Sequence, residues 1–228
     1  MSVVNHSTTP FLTVITPTTG KASLARLIES IDAQSRGRIF HLVMWDDKRD
    51  SAMDPAALNG PSRFSVVCPN GSGRNGDAPG SILRAVGLVL AKTPWVAFAD
   101  DDVWWEGNYL DEVEKRAATA NWMSVHRTIY SPFTKSRIGV DRFESVGDAP
   151  SRKVPYEMCD GNTMIFKREF GMAAAHLFRE TTQYNDDRLM YAFLKQYAGE
   201  RGAIPDALIN QICPEKLAGS FEKFRDPA

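Results

Sequence analysis

The 228-residue chain has no apolar run long enough to span a bilayer and no basic-then-apolar start of a secretion signal. No transmembrane segment is therefore expected, and the expected location is cytoplasmic. Cysteine is scarce: Cys68, Cys159 and Cys213 are odd in number and far apart. That spacing excludes a disulfide framework and a cysteine-rich metal site, so free thiols in a reducing compartment are expected. Neither sign of charge is in excess, with 27 Lys and Arg against 28 Asp and Glu. A nucleic-acid surface built on bulk positive charge is thereby excluded. No internal repeat or low-complexity tract is present. Histidine is also rare, and His126 and His176 have no partner at ligand spacing, so both read as structural or exposed. What remains is a packed chain, 43% hydrophobic, of a length that suits one large α/β domain or a domain with a small appendage.

The stretch that organises the chain is Trp95-Val96-Ala97-Phe98-Ala99-Asp100-Asp101-Asp102-Val103-Trp104-Trp105. Its apolar run reads as a strand buried on both faces, as in a parallel sheet. Three adjacent carboxylates at the end of such a strand repel one another, and a hard cation with oxygen ligands relieves the repulsion. Open α/β sheets bind ligands beyond the carboxyl ends of their strands, where these aspartates fall. An acidic turn capping the next helix is the plainer alternative.

The rest of the chain sets this stretch in a βαβ pattern. Strands are expected at Phe11 to Thr16, Ile39 to Trp45 and Arg63 to Val67, with a helix between the first two carrying Leu24, Leu27, Ile28 and Ile31 on one face. Residues 51 to 61 and the glycine-rich segment 70 to 80 read as loops. Ser81 is expected to cap a helix whose inward residues are Ile82, Leu83, Val86, Val89 and Leu90. Arg84 sits in its first turn, off that face. A cation there opposes the helix dipole, so it makes better sense facing a bound anion. Asn108 opens a helix to about Ala120, with Asp111–Lys115 and Glu112–Arg116 as solvated pairs. Beyond it, Trp122 to Tyr130 and Met164 to Lys167 read as strands. Residues 131 to 155 read as a hairpin or mobile flap, Phe170 to Phe178 as a short helix, and Ala203 to Ile212 as a last strand or loop. Asn185-Asp186-Asp187 opens a helix ended by Gly199.

In this order the landmarks are familiar. A strand ends in Thr16-Pro17-Thr18. Asp46-Asp47 follows the next strand. Arg84-Ala85-Val86-Gly87 opens a helix that leads to Asp100-Asp101-Asp102. Gly161-Asn162 precedes a strand, and Asp186-Asp187 follows. From Phe11 to about Tyr197 the chain resembles the family 2 glycosyltransferases of GT-A fold. It departs from them in Lys48-Arg49-Asp50 after the first Asp pair, in Asp186 where the family has Glu, in the missing Asn after Arg84, and in the long loop at 70 to 80.

The resemblance implies an α/β fold of GT-A type. Residues 1–228 would form one domain. A Rossmann-like nucleotide-sugar half with a mostly parallel sheet covers 10–105. A mixed acceptor-binding half covers 106–228, with a flexible loop at 131–155. It implies transfer of a sugar from a nucleotide-diphosphate sugar, UDP favoured, to a hydroxyl of a saccharide, lipid-linked or other acceptor. Mn²⁺ or Mg²⁺ would neutralise the departing diphosphate. Asp102 would be the direct metal ligand, with Asp100 in support and Asp101 at the ribose or metal shell. Arg84 would face the diphosphate, while Thr16, Thr18 and Asp47 line the nucleoside pocket. Asp187 would be the base, its pKa held low by the helix dipole, and a single base implies inversion. Trp104, Gly161, Asn162 and Asp186 would serve the sugars, although Trp104 and Trp105 also read as core residues.

Three other readings fit some of the same residues. An Asp-x-Asp phosphatase wants Thr or Val where Trp104 stands. A nucleotidyltransferase wants a basic glycine-rich loop after the first strand, which Thr16-Pro17-Thr18-Thr19-Gly20-Lys21 matches weakly. A non-catalytic nucleotide-sugar or glycan-binding protein has no need of Asp102 and Asp187.

Overall fold

The computed structural model describes residues 9–34, 37–46, 53–69, 80–141, 158–179, 186–215 and 218–221. Its centre is β1 (Leu12–Thr18), every residue of which is buried. Such a strand needs neighbours on both edges and helices on both faces. It pairs in parallel with β2 (Ile39–Asp46) on one side and β4 (Trp95–Phe98) on the other. β3 (Arg63–Cys68) extends the parallel set beyond β2. The carboxyl ends of these strands therefore share one edge, with Thr18, Asp46 and the three aspartates after Phe98 on it.

On the far side of β4 the sheet turns mixed. β8 (Met164–Lys167) is antiparallel to β4, so β4 has one parallel and one antiparallel neighbour. β6 (Trp122–Tyr130) follows antiparallel to β8, then β9 (Gly202–Ile212) parallel to β6. β5 (Val103–Trp105) closes the edge, antiparallel to β9. β7 (Arg137–Asp141) forms a hairpin with β6, as expected at the start of 131–155. The rest of that segment, from residue 142 to 157, lies outside the described residues, as do 70–79 and Asn185. β5 is 3 residues long, too short for a periodic pattern to mark it in the sequence, and its pairing with Ile209, Asn210 and Gln211 of β9 makes it a strand.

Helices cover both faces. α1 (Ser23–Asp32) and α3 (Tyr109–Ala117) bury Leu24, Leu27, Leu110 and Val113 on one face. Trp105 belongs to that layer and stacks on Tyr109 with ring centroids 3.9 Å apart. In α3, Glu112 takes both Arg116 and Lys115, so the expected Asp111–Lys115 pair gives way to an i,i+3 bond. α2 (Ser81–Leu90), α4 (Arg168–Ala174) and α5 (Asp186–Tyr197) cover the other face with Leu83, Leu88, Ala174, Met190 and Leu194. A short α6 (Ala218–Phe221) ends the described chain. Among the described residues no helix is long and apolar enough to cross a membrane. The three cysteines are free and buried.

The inward face of α2 differs from the one expected. Leu83, Arg84, Ala85, Gly87 and Leu88 are buried, while Ile82, Val89 and Leu90 are exposed. The helix is apolar nearly all round, so periodicity alone does not choose a face. Gly87 chooses it. A Cβ there would fall 2.5 Å from Cγ2 of Ile15, so only glycine lets α2 lie this close to β1. One turn earlier, the same face carries Arg84 inward.

The outer edge of β3 is covered by the segment before it. Asn59 Oδ1 accepts from the Ser65 amide at 2.7 Å. Gly60 and Arg63 exchange backbone hydrogen bonds at 2.9 and 3.3 Å.

Candidate active site

Each of the three aspartates after β4 is held differently. The Asp100 amide donates to Asn162 Oδ1 at 2.6 Å, and its Oδ2 accepts from Asn162 Nδ2 at 3.1 Å. Its Oδ1 pairs with Arg84. Asp101 is buried, with Oδ2 accepting from the Thr18 hydroxyl at 2.7 Å and Oδ1 from Lys21 Nζ at 2.9 Å. Asp102 Oδ1 is buried and, among the described residues, has no hydrogen-bond partner. Burial first, then the neighbouring Asp100, pushes the Asp102 carboxyl up to about 7. It is the one member of the triad with an uncommitted buried oxygen.

Arg84 is a buried residue with two carboxylate partners. Besides Asp100 it donates to Asp186 Oδ2 at 3.0 Å. Burial opposes its charge, but Asp100, Asp186 and Asp187 outweigh burial and raise its pKa above the ordinary value. The Ser81 hydroxyl also goes to Asp186 Oδ2, at 2.9 Å, instead of capping its own helix. The first turns of α2 and α5 are thereby fastened together.

Asp187, second residue of α5, packs against Gly161. A Cβ on residue 161 would lie 2.6 Å from Asp187 Oδ1, so the carboxylate needs glycine at that place. Its pKa is raised well above the ordinary value, by burial first and then by Asp160 and Asp186. The expectation of a low pKa is corrected here, because desolvation and like charges outweigh the dipole of the helix that carries it. Asp160 is fixed in turn. Its Oδ1 accepts from the Asn162 amide and Nδ2, both at 3.0 Å, and its Oδ2 pairs with Arg127. Arg127 is buried and also bonds Asp141 at 2.9 Å and Gln211 at 2.8 Å.

These groups meet around a cavity of about 370 Å³. It is lined by Thr18, Lys21, Asp46, Arg84, Asp100, Asp101, Asp102, Asp186 and Asp187, with Pro17, Thr19, Gly80, Ser81 and Leu83 between them. Seven of the site residues expected from the sequence are brought to it. Gly161 and Asn162 stand behind the lining and hold Asp187 and Asp100. Thr16 does not reach it: the side chain is buried in the sheet, its hydroxyl 2.9 Å from His41 Nε2. Trp104 does not reach it either. It lies under Arg26, whose guanidinium carbon is 3.0 Å from the ring centroid, and beside Tyr130. Alternation along β5 turns it away from buried Val103 and Trp105. Asp47 lies outside the described residues.

Sequence reasoning passed over four residues. Lys21 was visible only as the end of Thr18-Thr19-Gly20-Lys21, and Asp46 stood in the shadow of Asp47. Asp160 adjoins Gly161-Asn162 and carried the same signal. Arg127 left none, because a lone arginine in a strand is indistinguishable from a surface residue until its partners are placed.

Among the described residues six carboxylates face two cations around this cavity. Among the described residues no group of three His, Cys, Asp or Glu is gathered as a closed metal cage. The donor set suits a hard ion held by one or two carboxylates, with the remaining positions left for waters and phosphate oxygens. Asp102, with its orphaned oxygen, is the residue that fits such an ion best, and Asp100 adjoins it.

No family model and no curated protein matches the chain. Solved structures do. It is similar to S. aureus TarS with a TM-score of 0.60 and 16% identity, over 96% of this chain and 40% of that one. It is similar to S. aureus TarS 1-349 in complex with UDP, with a TM-score of 0.60 and 16% identity over 89% and 60% of the two chains. A further structure of S. aureus TarS 1-349 gives 0.62 and 17% over 90% and 60%. The fold is the GT-A fold expected from the sequence. The chain spans between two fifths and three fifths of the length of these structures.

Proposed function

We propose that the protein is a divalent-cation-dependent glycosyltransferase. In this reading it moves a sugar from a nucleotide-diphosphate sugar, UDP favoured, to an acceptor hydroxyl with inversion. One observation carries the reading: Asp102 from the turn after β4, Arg84 from α2 and Asp187 from α5 converge on a single cavity at the carboxyl edge of the parallel strands. The solved complex of a TarS fragment with UDP supports the choice of nucleotide.

The barrier in such a reaction is charge separation, since the anomeric carbon turns cationic while a diphosphate leaves. Asp102 and Asp100 would hold Mn²⁺ or Mg²⁺, and the bound ion supplies charge neutralisation to the diphosphate. Arg84 fixes Asp100 and Asp186 in place and adds a buried positive charge at the same wall. Asp187 accepts the acceptor's proton. A carboxylate whose pKa is raised is the stronger base once ionised, which suits general-base work near neutrality. Asp187 acting as the one base, with no covalent intermediate, implies displacement in one step. The acceptor is a saccharide, lipid-linked or other hydroxyl compound.

The test is a thermal-shift panel of UDP-, GDP-, CMP- and dTDP-sugars with and without Mn²⁺, followed by transfer assays. The expected result is a Mn²⁺-dependent rise in Tm with UDP-sugars, lost in Asp102→Ala. Asp187→Asn keeps that rise and loses transfer. Binding of glycans or nucleotide sugars without turnover in the wild type would favour the non-catalytic binder. No Mn²⁺-dependent shift with any nucleotide would sink the proposal.

A further inference from the structure

Among the described residues two cations line the cavity, and they differ in kind. Arg84 is buried and locked between two carboxylates. Lys21 is not: its side chain is 60% exposed, yet its ammonium reaches inward to Asp101, whose side chain is 4% exposed. The reach is built in. The Thr18 hydroxyl donates to Asp101 Oδ2 and accepts from the Gly20 amide at 2.8 Å, which fixes the turn that carries Lys21. Asp100 is occupied by Arg84 and Asn162, and Asp101 by Thr18 and Lys21, so Asp102 keeps the free oxygen. Lys21 also feels the charges of Asp102 and Asp100.

We propose that Lys21 is a tethered cation that balances the aspartate cluster until a divalent ion takes over its charge, so that Lys21 sets the affinity of the cavity for that ion. The inference rests on the cation-dependent reading above. The ammonium and a divalent ion answer to the same excess of negative charge, so each weakens the other. Because Lys21 is exposed, its pair with Asp101 is worth little and the side chain swings into water at small cost. It is thus a weak competitor, able to tune affinity without abolishing it. Arg84, with no such exit, is unsuited to that part.

Calorimetric titration of the full chain with MnCl2 and MgCl2, without nucleotide, tests this in wild type, Lys21→Met and Lys21→Arg. Lys21→Met is expected to bind Mn²⁺ about two- to fivefold tighter, the range of one exposed, screened ion pair. Lys21→Arg, which keeps a tethered cation, stays within about twofold of wild type on the same scale. In EDTA the Tm of Lys21→Met falls below wild type, and saturating Mn²⁺ closes the gap. If Lys21→Met binds Mn²⁺ as the wild type does, or more weakly, the inference is overturned and the cation-dependent function stands. If only Lys21→Met binds Mn²⁺, Lys21 excludes the ion instead of tuning its affinity, and both the inference and the cation dependence of the wild type fall. If neither binds, both fall.

Discussion

Gly161 and Asp187 stand so close that no side chain fits between them: a Cβ at 161 would fall 2.6 Å from Asp187 Oδ1. Gly161→Ala is therefore expected to push the carboxylate of the candidate base out of place while leaving Asp102, Asp100 and Arg84 intact. A displacement of this order costs about 100-fold in rate. Steady-state kinetics should show kcat falling by that amount with the donor KM within a few-fold of wild type. An unchanged kcat would remove Asp187 from the base role.

Arg84 is the buried cation between Asp100 and Asp186. Arg84→Met leaves both carboxylates without it, and breaking a buried pair costs roughly 3 kcal/mol or more. The double variant Arg84→Met/Asp186→Asn relieves part of that charge and is expected to recover about half of the loss. Urea unfolding of both variants measures it.

Two buried groups give stability opposite slopes with pH. His41 is pushed down to about 3, by burial first and then by Arg63. The Arg63 Nε–H donates to His41 Nδ1 at 3.2 Å, which leaves the ring proton on Nε2, directed at Thr16. A histidine held neutral contributes stability that is present above its ordinary pKa of about 6.5 and is lost as pH falls toward 3. Asp102, raised to about 7, acts the other way. Its contribution is present below about pH 4 and is lost as pH rises toward 7. Between about pH 4 and 6.5 the two slopes, each up to about 1.4 kcal/mol per pH unit, oppose each other. In EDTA-treated protein, Asp102→Asn should therefore make stability rise with pH across that window more steeply than in wild type. His41→Gln should make it fall. Chemical denaturation at pH 4.5, 5.5 and 6.5 reads both signs.

The contact of Gly87 with Ile15 sets the rotation of α2 and so the inward course of Arg84. Gly87→Ala is expected to cost about 1–3 kcal/mol through overpacking, even though alanine is the better helix former. Ile15→Ala, which removes the clashing Cγ2, should add less to Gly87→Ala than it costs alone. Denaturant midpoints of the two single variants and the double variant give that coupling.

Much of the architecture was legible in the residues. β1 and β4 carry no charge, β2 carries one only at its carboxyl end, and all three are rich in β-branched or aromatic side chains, a pattern that suits the centre of a sheet. The aspartates after Phe98 marked the ligand edge for the same reason. What escaped was decided by tertiary contact. α2 offers apolar residues on every side, and one glycine against one isoleucine picks among them. Asp187 at a helix start carries the sequence of a simple cap; its neighbour Asp160, twenty-seven positions away, makes it something else. Thr16 and Trp104 had the right positions along their strands, but alternation turned the one into the sheet and the other under Arg26. Lys21 and Arg127 each needed a partner about 80 residues away, or held from three strands, before their place could be seen.

The cover that Asn59 and Gly60 lay over β3 has a consequence for how the molecules behave in company. β3 ends the sheet, and it shows Phe64 and Val67 to solvent on opposite faces. A bare terminal strand with such side chains is a template for edge-to-edge association between copies. By spending the Ser65 amide on Asn59 and the Arg63 backbone on Gly60, the chain denies a second molecule the first bonds of a shared ladder. Solubility at high concentration then depends on a side-chain amide far from the cavity, and losing it would show as self-association before it showed in any property of the cavity.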